Sequence, residues 1–257
     1  MTKAEAGPFA AKGLLHVLLL QLGLGAVIAD LKITPITSGL RIRIHLMLDQ
    51  NSLSPYFNAD RRELLHFLGD ARYSSAIDVG CASGLLGREL ISSHTVKECD
   101  GIELNPQAAR VAADGLRKVW EGAIEAVAGT IPWRSYDLIV MADLLEHLAD
   151  PWQALRDLHS NAGEDVNLLI SVPNVRHKSV VFPLLFSGHF EYQDAGIMDR
   201  THLHFFTRSS LLKILADTGW KVQKVRPNIK SKYLKWWYPH HLLEEFLAVQ
   251  YFVLASK

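Results

Sequence analysis

Cysteine is scarce: the 257 residues hold two, Cys81 and Cys99. They lack CxxC spacing, so they offer neither a disulfide framework nor a thiolate zinc site, and a reducing, cytoplasmic setting fits best. An excess of either charge is also missing. Lys and Arg number 27, Asp and Glu 27, and the formal net charge is zero. Bulk attraction to nucleic acid is therefore not expected, although a local basic patch is compatible with that balance. No internal repeat or low-complexity tract is visible, which excludes solenoid architectures. Apolar side chains, by contrast, make up 49% of the chain and charged ones 21%. That is ample core for one α/β domain with additions.

The apolar content is uneven. Residues 13–31 (GLLHVLLLQLGLGAVIADL) form a strongly apolar run after Lys3 and Lys12. As a secretory signal, the run has Val27-Ile28-Ala29 near its end, resembling a small-residue cleavage site. As a membrane helix it is barely long enough to span, and His16 and Gln21 interrupt it. Those interruptions favour a helix packed on the domain, on a partner or at a membrane periphery. A start at Met47 would make the run dispensable for the fold. Residues 32–55 mix β-branched residues with Pro35, Gly39 and an Asp49-Gln50-Asn51-Ser52 turn signal, and read as a connector. The chain thus divides into an N-terminal apolar helix with connector, residues 1–55, and a main domain, residues 56–257.

The main domain opens with capping residues Asn58-Ala59-Asp60 before a helix over 61–68. From Ser75 the rhythm is strand, turn, helix. Strands are predicted at 76–79, 99–104, 136–141, 166–172, 220–225 and 248–255. Helices are predicted from Leu85 to Ile91, from Asn105 to about Val119, over 151–159 with Pro151 in the first turn, and from a Thr207 cap to Thr218, closed by Gly219. Continuous apolar runs in the strands indicate burial on both faces. Such alternation implies an α/β fold with a parallel sheet and helices on both faces, the last two strands being antiparallel.

The clearest motif is Asp78-Val79-Gly80-Cys81-Ala82-Ser83-Gly84. Glycines after a buried strand let the backbone turn sharply and approach a ligand. An ordinary strand-to-helix turn has the same look, but Glu103 closes the next strand, where a carboxylate can accept bonds from ribose hydroxyls. The loop lacks the Lys-Ser/Thr ending of a phosphate-binding loop. Its spacing is GxxxG rather than GxGxxG, which suits an adenosine ligand without phosphates.

Segments 76–84, 100–106, 136–151 and 168–174 resemble the successive motifs of class I S-adenosylmethionine (SAM)-dependent methyltransferases, over about Tyr56 to the C-terminus. The resemblance implies a Rossmann-like, seven-stranded, mostly parallel sheet with its last strand inserted antiparallel. It also implies that Gly80, Cys81, Ala82, Ser83 and Gly84 hold the methionine end of SAM. Glu103 would hold the ribose, and Leu104 would pack on adenine. Asp78 and Ala142 complete that expected set. Most relatives have Gly where this chain has Ala82. Relatives often carry Asp where this chain has Ala123, so backbone groups near Ala123 and Ile124 are expected to meet the adenine instead.

Asp143-Leu144-Leu145-Glu146-His147-Leu148 follows the fourth strand, at the sheet edge where open α/β folds bind ligands. As local structure, Asp143 would cap a helix while Glu146 and His147 make nearby hydrogen bonds. As chemistry, two forms are open. His147 or His202 takes a proton from an acceptor hydroxyl, with Asp143 part of the catalytic set. Alternatively, Asp143, Glu146, His147 and His202 gather a divalent ion, which would lower the hydroxyl pKa. The segment is similar to that of ubiquinone-pathway O-methyltransferases. It is also similar to small-RNA 2'-O-methyltransferases, with their Glu-x-x-Glu-His and later His. Asp143 stands where that second family has Glu.

The block from Phe190 through Trp220 looks like methyltransferases encoded beside glycosyltransferases in polysaccharide pathways. This implies a small-molecule or glycan acceptor, lipid-linked ones included. Residues 226–241 interleave Lys and Arg with Tyr233, Trp236, Trp237 and Tyr238. The readings open there are a packing or dimer surface, a peripheral membrane contact, and single-strand stacking. Rival activities are RNA 2'-O-methylation, NAD-dependent oxidoreduction and a non-catalytic scaffold.

Overall fold

The computed structural model describes residues 61–229 and 243–257 in full, and the backbone of 31–36 and 39–44. The chain divides into two compact units, Met1–Ser52 and Leu53–Lys257. Apart from Leu31, the apolar run 13–31 lies outside the described residues, as do Asn58-Ala59-Asp60 and the aromatic residues at 233–238.

In the first unit, β1 (Leu31–Ile36) and β2 (Gly39–Ile44) pair antiparallel, with Ile33 opposite Ile42. This corrects the expected connector at residues 32–55. The cause is in the sequence: Leu40-Arg41-Ile42-Arg43-Ile44 alternates apolar and charged residues with the period of a strand.

The second unit begins with α1 (Arg62–Leu68), β3 (Tyr73–Val79), α2 (Leu85–Ser92), β4 (Val96–Glu103), α3 (Pro106–Ala113), β5 (Val119–Glu121), the single-turn α4 (Ile124–Val127) and β6 (Leu138–Ala142). It continues with α5 (Pro151–Asn161), β7 (Asn167–Pro173), α6 (Lys178–Ser187), α7 (Arg208–Asp217), β8 (Lys221–Ile229), α8 (Glu244–Leu247) and β9 (Ala248–Ser256). The seven strands lie in the order β5-β4-β3-β6-β7-β9-β8. β9 is antiparallel to both neighbours, and the other ladders run parallel.

Successive strand residues point to opposite faces, and each face has its own core. Ile77, Ile139, Met141, Leu168 and Ile170 pack with Leu155, Leu211 and Trp220 on one side. Ala76, Leu138, Val140 and Leu169 pack with Leu64, Phe67, Leu86 and Leu90 on the other. Truncating one of these fully buried leucines to alanine costs about 2–5 kcal/mol. A buried Asp100 pins β4. It accepts hydrogen bonds from Arg117 Nε and Tyr136 Oη, at 2.9 and 2.6 Å.

Several expected boundaries shift. Asn105, where the helix was expected to begin, is its cap, accepting from the amides of Gln107 and Ala108. The helix stops at Ala113 rather than near Val119, because Val119–Glu121 joins the sheet edge beside Gly101–Glu103. Arg61 occupies the cap position of α1 without a side-chain cap bond. α6 was not anticipated, its unbroken apolar run giving no helical period. Among the described residues, no helix is long and apolar enough to cross a membrane.

Candidate active site

β3 delivers Val79 to the carboxyl edge of the sheet, where the chain must reverse into α2. Gly80 and Gly84 take left-handed angles, φ +77° and +76°, a region open to glycine at little cost. Ala82 adopts φ +50° and carries the modest strain of its methyl group. The amides of Gly80 and Cys81 both donate to the Ile102 carbonyl, at 2.8 and 2.9 Å, so the loop is tied to the tip of β4. A Cβ on Gly80 would lie 3.1 Å from Leu144 Cδ1, and the loop therefore passes close beneath the turn that follows β6.

Glu103 closes β4 and is buried. Its carboxylate accepts the Ala82 amide at 2.8 Å and the Asn105 amide at 2.7 Å. Burial raises its pKa, against the backbone amides of Asn105, Ala82 and Leu104. Each oxygen keeps a second lone pair for a ribose hydroxyl. Leu104 beside it is 60% exposed, an apolar ledge without a covering side chain. The Gly122 amide donates to the Glu103 carbonyl at 2.9 Å, which brings Ala123 and Ile124 to the same edge. Asp78 lies beneath the loop, fully buried. Neither of its oxygens has a hydrogen-bond partner among the described residues, and burial pushes its pKa up to about 6. A close-approach loop, an acceptor carboxylate and an apolar ledge in one row fit a nucleoside bearing an amino-acid arm.

Ala142 ends β6, and the chain then passes through Asp143 at φ +54°. Asp143 does not cap a helix. The turn Leu145–His147 is capped at Leu144 without a side-chain bond. The Asp143 carboxylate accepts from Ser171 Oγ at 2.9 Å and from Gln250 Nε2, and lies 3.5 Å from Arg61 Nε. Of the four residues expected to gather an ion, three come together. Glu146, His147 and His202 offer ligand atoms all within 4.8 Å of one another, and Asp143 is not among them. Its carboxylate is held away by Ser171 and Gln250.

Glu146 is 1% exposed, and neither carboxylate oxygen has a hydrogen-bond partner among the described residues. Burial holds its pKa well above the usual carboxylate range, and the Asp143 charge adds to this. Its carbonyl accepts the amides of Leu203 and His204, at 2.8 and 3.1 Å, which clips the loop bearing His202 onto the turn. His202 Nδ1 lies 3.0 Å from the Ile197 carbonyl. A proton on that nitrogen leaves Nε2 with its lone pair outward. His147 Nδ1 lies 3.3 Å from the Thr201 carbonyl. Burial, and then the His202 charge, lower the His147 pKa, so this imidazole favours its neutral form.

These groups face a cavity of about 260 Å³ that Arg61, Asp199, Ile197 and Gln250 also line. A smaller cavity of about 80 Å³ shares Arg61, Asp143 and Gln250. Sequence reasoning missed Arg61 and Gln250. Gln250 carried a signal, as one polar residue in the apolar strand Ala-Val-Gln-Tyr-Phe-Val. Arg61, in a run of mixed charge before α1, carried none.

An open α/β sheet in this order, with one antiparallel strand second from its edge and a nucleoside cradle at its carboxyl end, defines a class I SAM-dependent methyltransferase. A methyltransferase-domain family model matches residues 54–225, and the chain belongs to that family. The chain is 24% identical over 187 residues to a ubiquinone biosynthesis O-methyltransferase of Rickettsia prowazekii, covering 70% of each protein. To one of Nitrosospira multiformis it is 27% identical over 157 residues, covering 58% of this chain and 63% of that protein. Among solved structures, a SAM-dependent methyltransferase of Archaeoglobus fulgidus aligns with a TM-score of 0.52 at 19% identity, over 76% of this chain and 90% of that one. A second, from Mesorhizobium loti, aligns with a TM-score of 0.54 at 14% identity, over 76% and 96%. SAM is the cofactor, which sets aside the oxidoreductase and scaffold readings.

Proposed function

We propose that the protein methylates an oxygen of a small-molecule or glycan acceptor, lipid-linked acceptors included, bound in the cavity beside Glu146, His147 and His202. The observation that carries this reading is the meeting of those three side chains next to the glycine loop. The O-methyltransferase relatives support oxygen as the nucleophile.

SAM supplies a methyl group on a positively charged sulfur. The 80–84 loop receives its methionine end, Glu103 its ribose and Leu104 its adenine. Arg61 lies near enough to Asp78 to work against the rise in that residue's pKa. Its Nε makes an ion pair with Asp143 at 3.5 Å but no hydrogen bond among the described residues, and the guanidinium has further donors for the carboxylate of the amino-acid arm. Much of the rate then comes from holding the acceptor oxygen in line with the methyl group.

One buried carboxylate without a hydrogen-bond partner among the described residues and two imidazoles beside it form a donor set for a divalent ion. Such an ion would lower the pKa of the acceptor hydroxyl. Asp143 then acts as a positioning residue, tying the turn to β7 and β9. A second reading rests on His202 alone: with Nδ1 on the Ile197 carbonyl, Nε2 accepts the hydroxyl proton as a general base.

Mass spectrometry of cell extracts incubated with the protein and methyl-labelled SAM tests the proposal. Labelled product is expected with the wild type and not with Glu146→Gln. Loss of product on chelation, with recovery on adding Mn²⁺, selects the ion. Product that survives chelation but not His202→Ala selects the base. No labelled product from folded wild type that binds SAM sinks both.

A further inference from the structure

We propose that α6 docks the enzyme onto a lipid bilayer with anionic headgroups. α6 reads Lys-Ser-Val-Val-Phe-Pro-Leu-Leu-Phe-Ser, and of its residues only Val180 is buried. Leu185 is 70% exposed and Phe186 77%, and Phe182 and Leu184 are 47% each. Isolated exposed leucines are ordinary, but a contiguous apolar set marks a contact surface. The set is contiguous. The Phe182 and Phe186 rings lie 5.9 Å apart, and Phe182 also meets Phe246 of α8 at 6.2 Å. A helix apolar around most of its girth belongs in a core or in lipid, and α6 has no core over it among the described residues.

Charge favours lipid over a second copy of the chain. Between Val175 and Phe190 there is no Asp or Glu, while Arg176 and Lys178 stand at the helix start. In sequence the next carboxylate is Glu191, and Glu245 of α8 is paired with Arg176. An apolar helix with basic residues at its end, and Tyr192 half-exposed beyond it, has the make-up of an interfacial element. Anionic headgroups complement the basic end.

The position is apt as well. The chain leaving α6 runs on to Gly196 and Ile197, which wall the acceptor cavity. Phe205 meets Phe190 at 5.9 Å and His202 at 6.3 Å, so a line of rings runs from the exposed Phe190, just past α6, to the site. A docked enzyme would draw a lipid-borne acceptor from the bilayer. That extension rests on the function proposed above, whereas the docking itself does not.

Flotation of the full chain with phosphatidylcholine vesicles, with and without phosphatidylglycerol, is the test. Wild type is expected to float with the phosphatidylglycerol vesicles, and less so in high salt. Leu185→Glu/Phe186→Glu, both at exposed positions, is expected to lower partitioning by about tenfold or more. Unchanged stabilisation by S-adenosylhomocysteine in thermal melts checks that this variant is folded and that the cofactor site is intact. Equal flotation of variant and wild type overturns the proposal, because another part of the chain would then be the anchor. So does absence of wild-type flotation, or equal binding to vesicles without phosphatidylglycerol. A dimer in sedimentation that the double variant dissolves, with no effect on flotation, assigns the face to a second copy instead. These readouts do not require methyl transfer, so failure here is distinct from failure of the proposed activity.

Discussion

His147 and His202 meet edge to face, with 4.7 Å between ring centroids, one on the turn after β6 and the other on the loop before α7. Burial, and then the charge of the neighbouring His202 ring, disfavour the protonated form of His147. His147 is thus kept in the state that can accept a proton or bind an ion.

His202→Ala removes the neighbouring charge and opens His147 to water, so the His147 pKa is expected to rise towards the ordinary value. Imidazole proton shifts followed by NMR against pH measure it. The linkage has a sign: a folded-state pKa below the unfolded one means stability is lost as pH falls below about 6.5. The variant should lose less stability over that interval than the wild type. An unchanged His147 titration would show that the rings do not interact.

Asp78 is the opposite case. Its pKa rises from 3.8 to about 6 because burial disfavours the charge. Its contribution is therefore full below about pH 4 and is lost as pH rises through 6. Asp78→Asn, which is neutral at every pH, is expected to raise stability at pH 8 by up to about 3 kcal/mol. The gain should vanish near pH 4. Urea titrations at the two pH values read it, and a variant less stable at pH 8 would refute the assignment.

Glu103→Ala leaves the Ala82 and Asn105 amides without their acceptor and removes the expected ribose partner. Bonds to a charged group are worth about 1.5–3 kcal/mol each, so SAM affinity is expected to fall by about 10- to 100-fold. Isothermal calorimetry gives the constant directly. Affinity within a factor of two of wild type would assign Glu103 to loop structure alone.

Gly101 lies in β4 directly against the cofactor loop. A Cβ there would lie 2.5 Å from Cys81 Sγ and 2.9 Å from Leu116 Cδ1. Gly101→Ala is expected to destabilise the domain by about 1–3 kcal/mol through overpacking. Adding Cys81→Ala should return part of that loss, because the nearer obstacle is then gone. Additive losses in the double-mutant cycle would place the strain elsewhere.

The reversal after β3 was legible because its demands are local: a sharp turn after a buried strand needs glycine, and Gly80 and Gly84 state that need in neighbouring letters. The sheet's alternation was legible for the same reason, from the apolar runs at 138–142 and 167–172. β5 was hidden, since Val119, Trp120 and Glu121 carry no period over three residues, and only pairing with β4 makes them a strand. That Asp143 stands apart from the Glu146, His147 and His202 group was not legible, because spacing along the chain does not reveal Gln250, which reaches it from a strand far later in sequence. Arg61 joined the cavity by the same long-range folding. The hairpin of β1 and β2 was masked by Pro35 and Gly39, residues that ordinarily break strands, although Ile and Arg alternate along β2.

The insertion of β9 between β7 and β8 sets the order in which the enzyme can be made. β7 pairs with β6 on one side but gains its second neighbour only when residues 248–256 emerge, and until then that edge presents unpaired amides and carbonyls to the cell. On the ribosome the sheet therefore stays half-zipped and open to chaperones until β9 has been made.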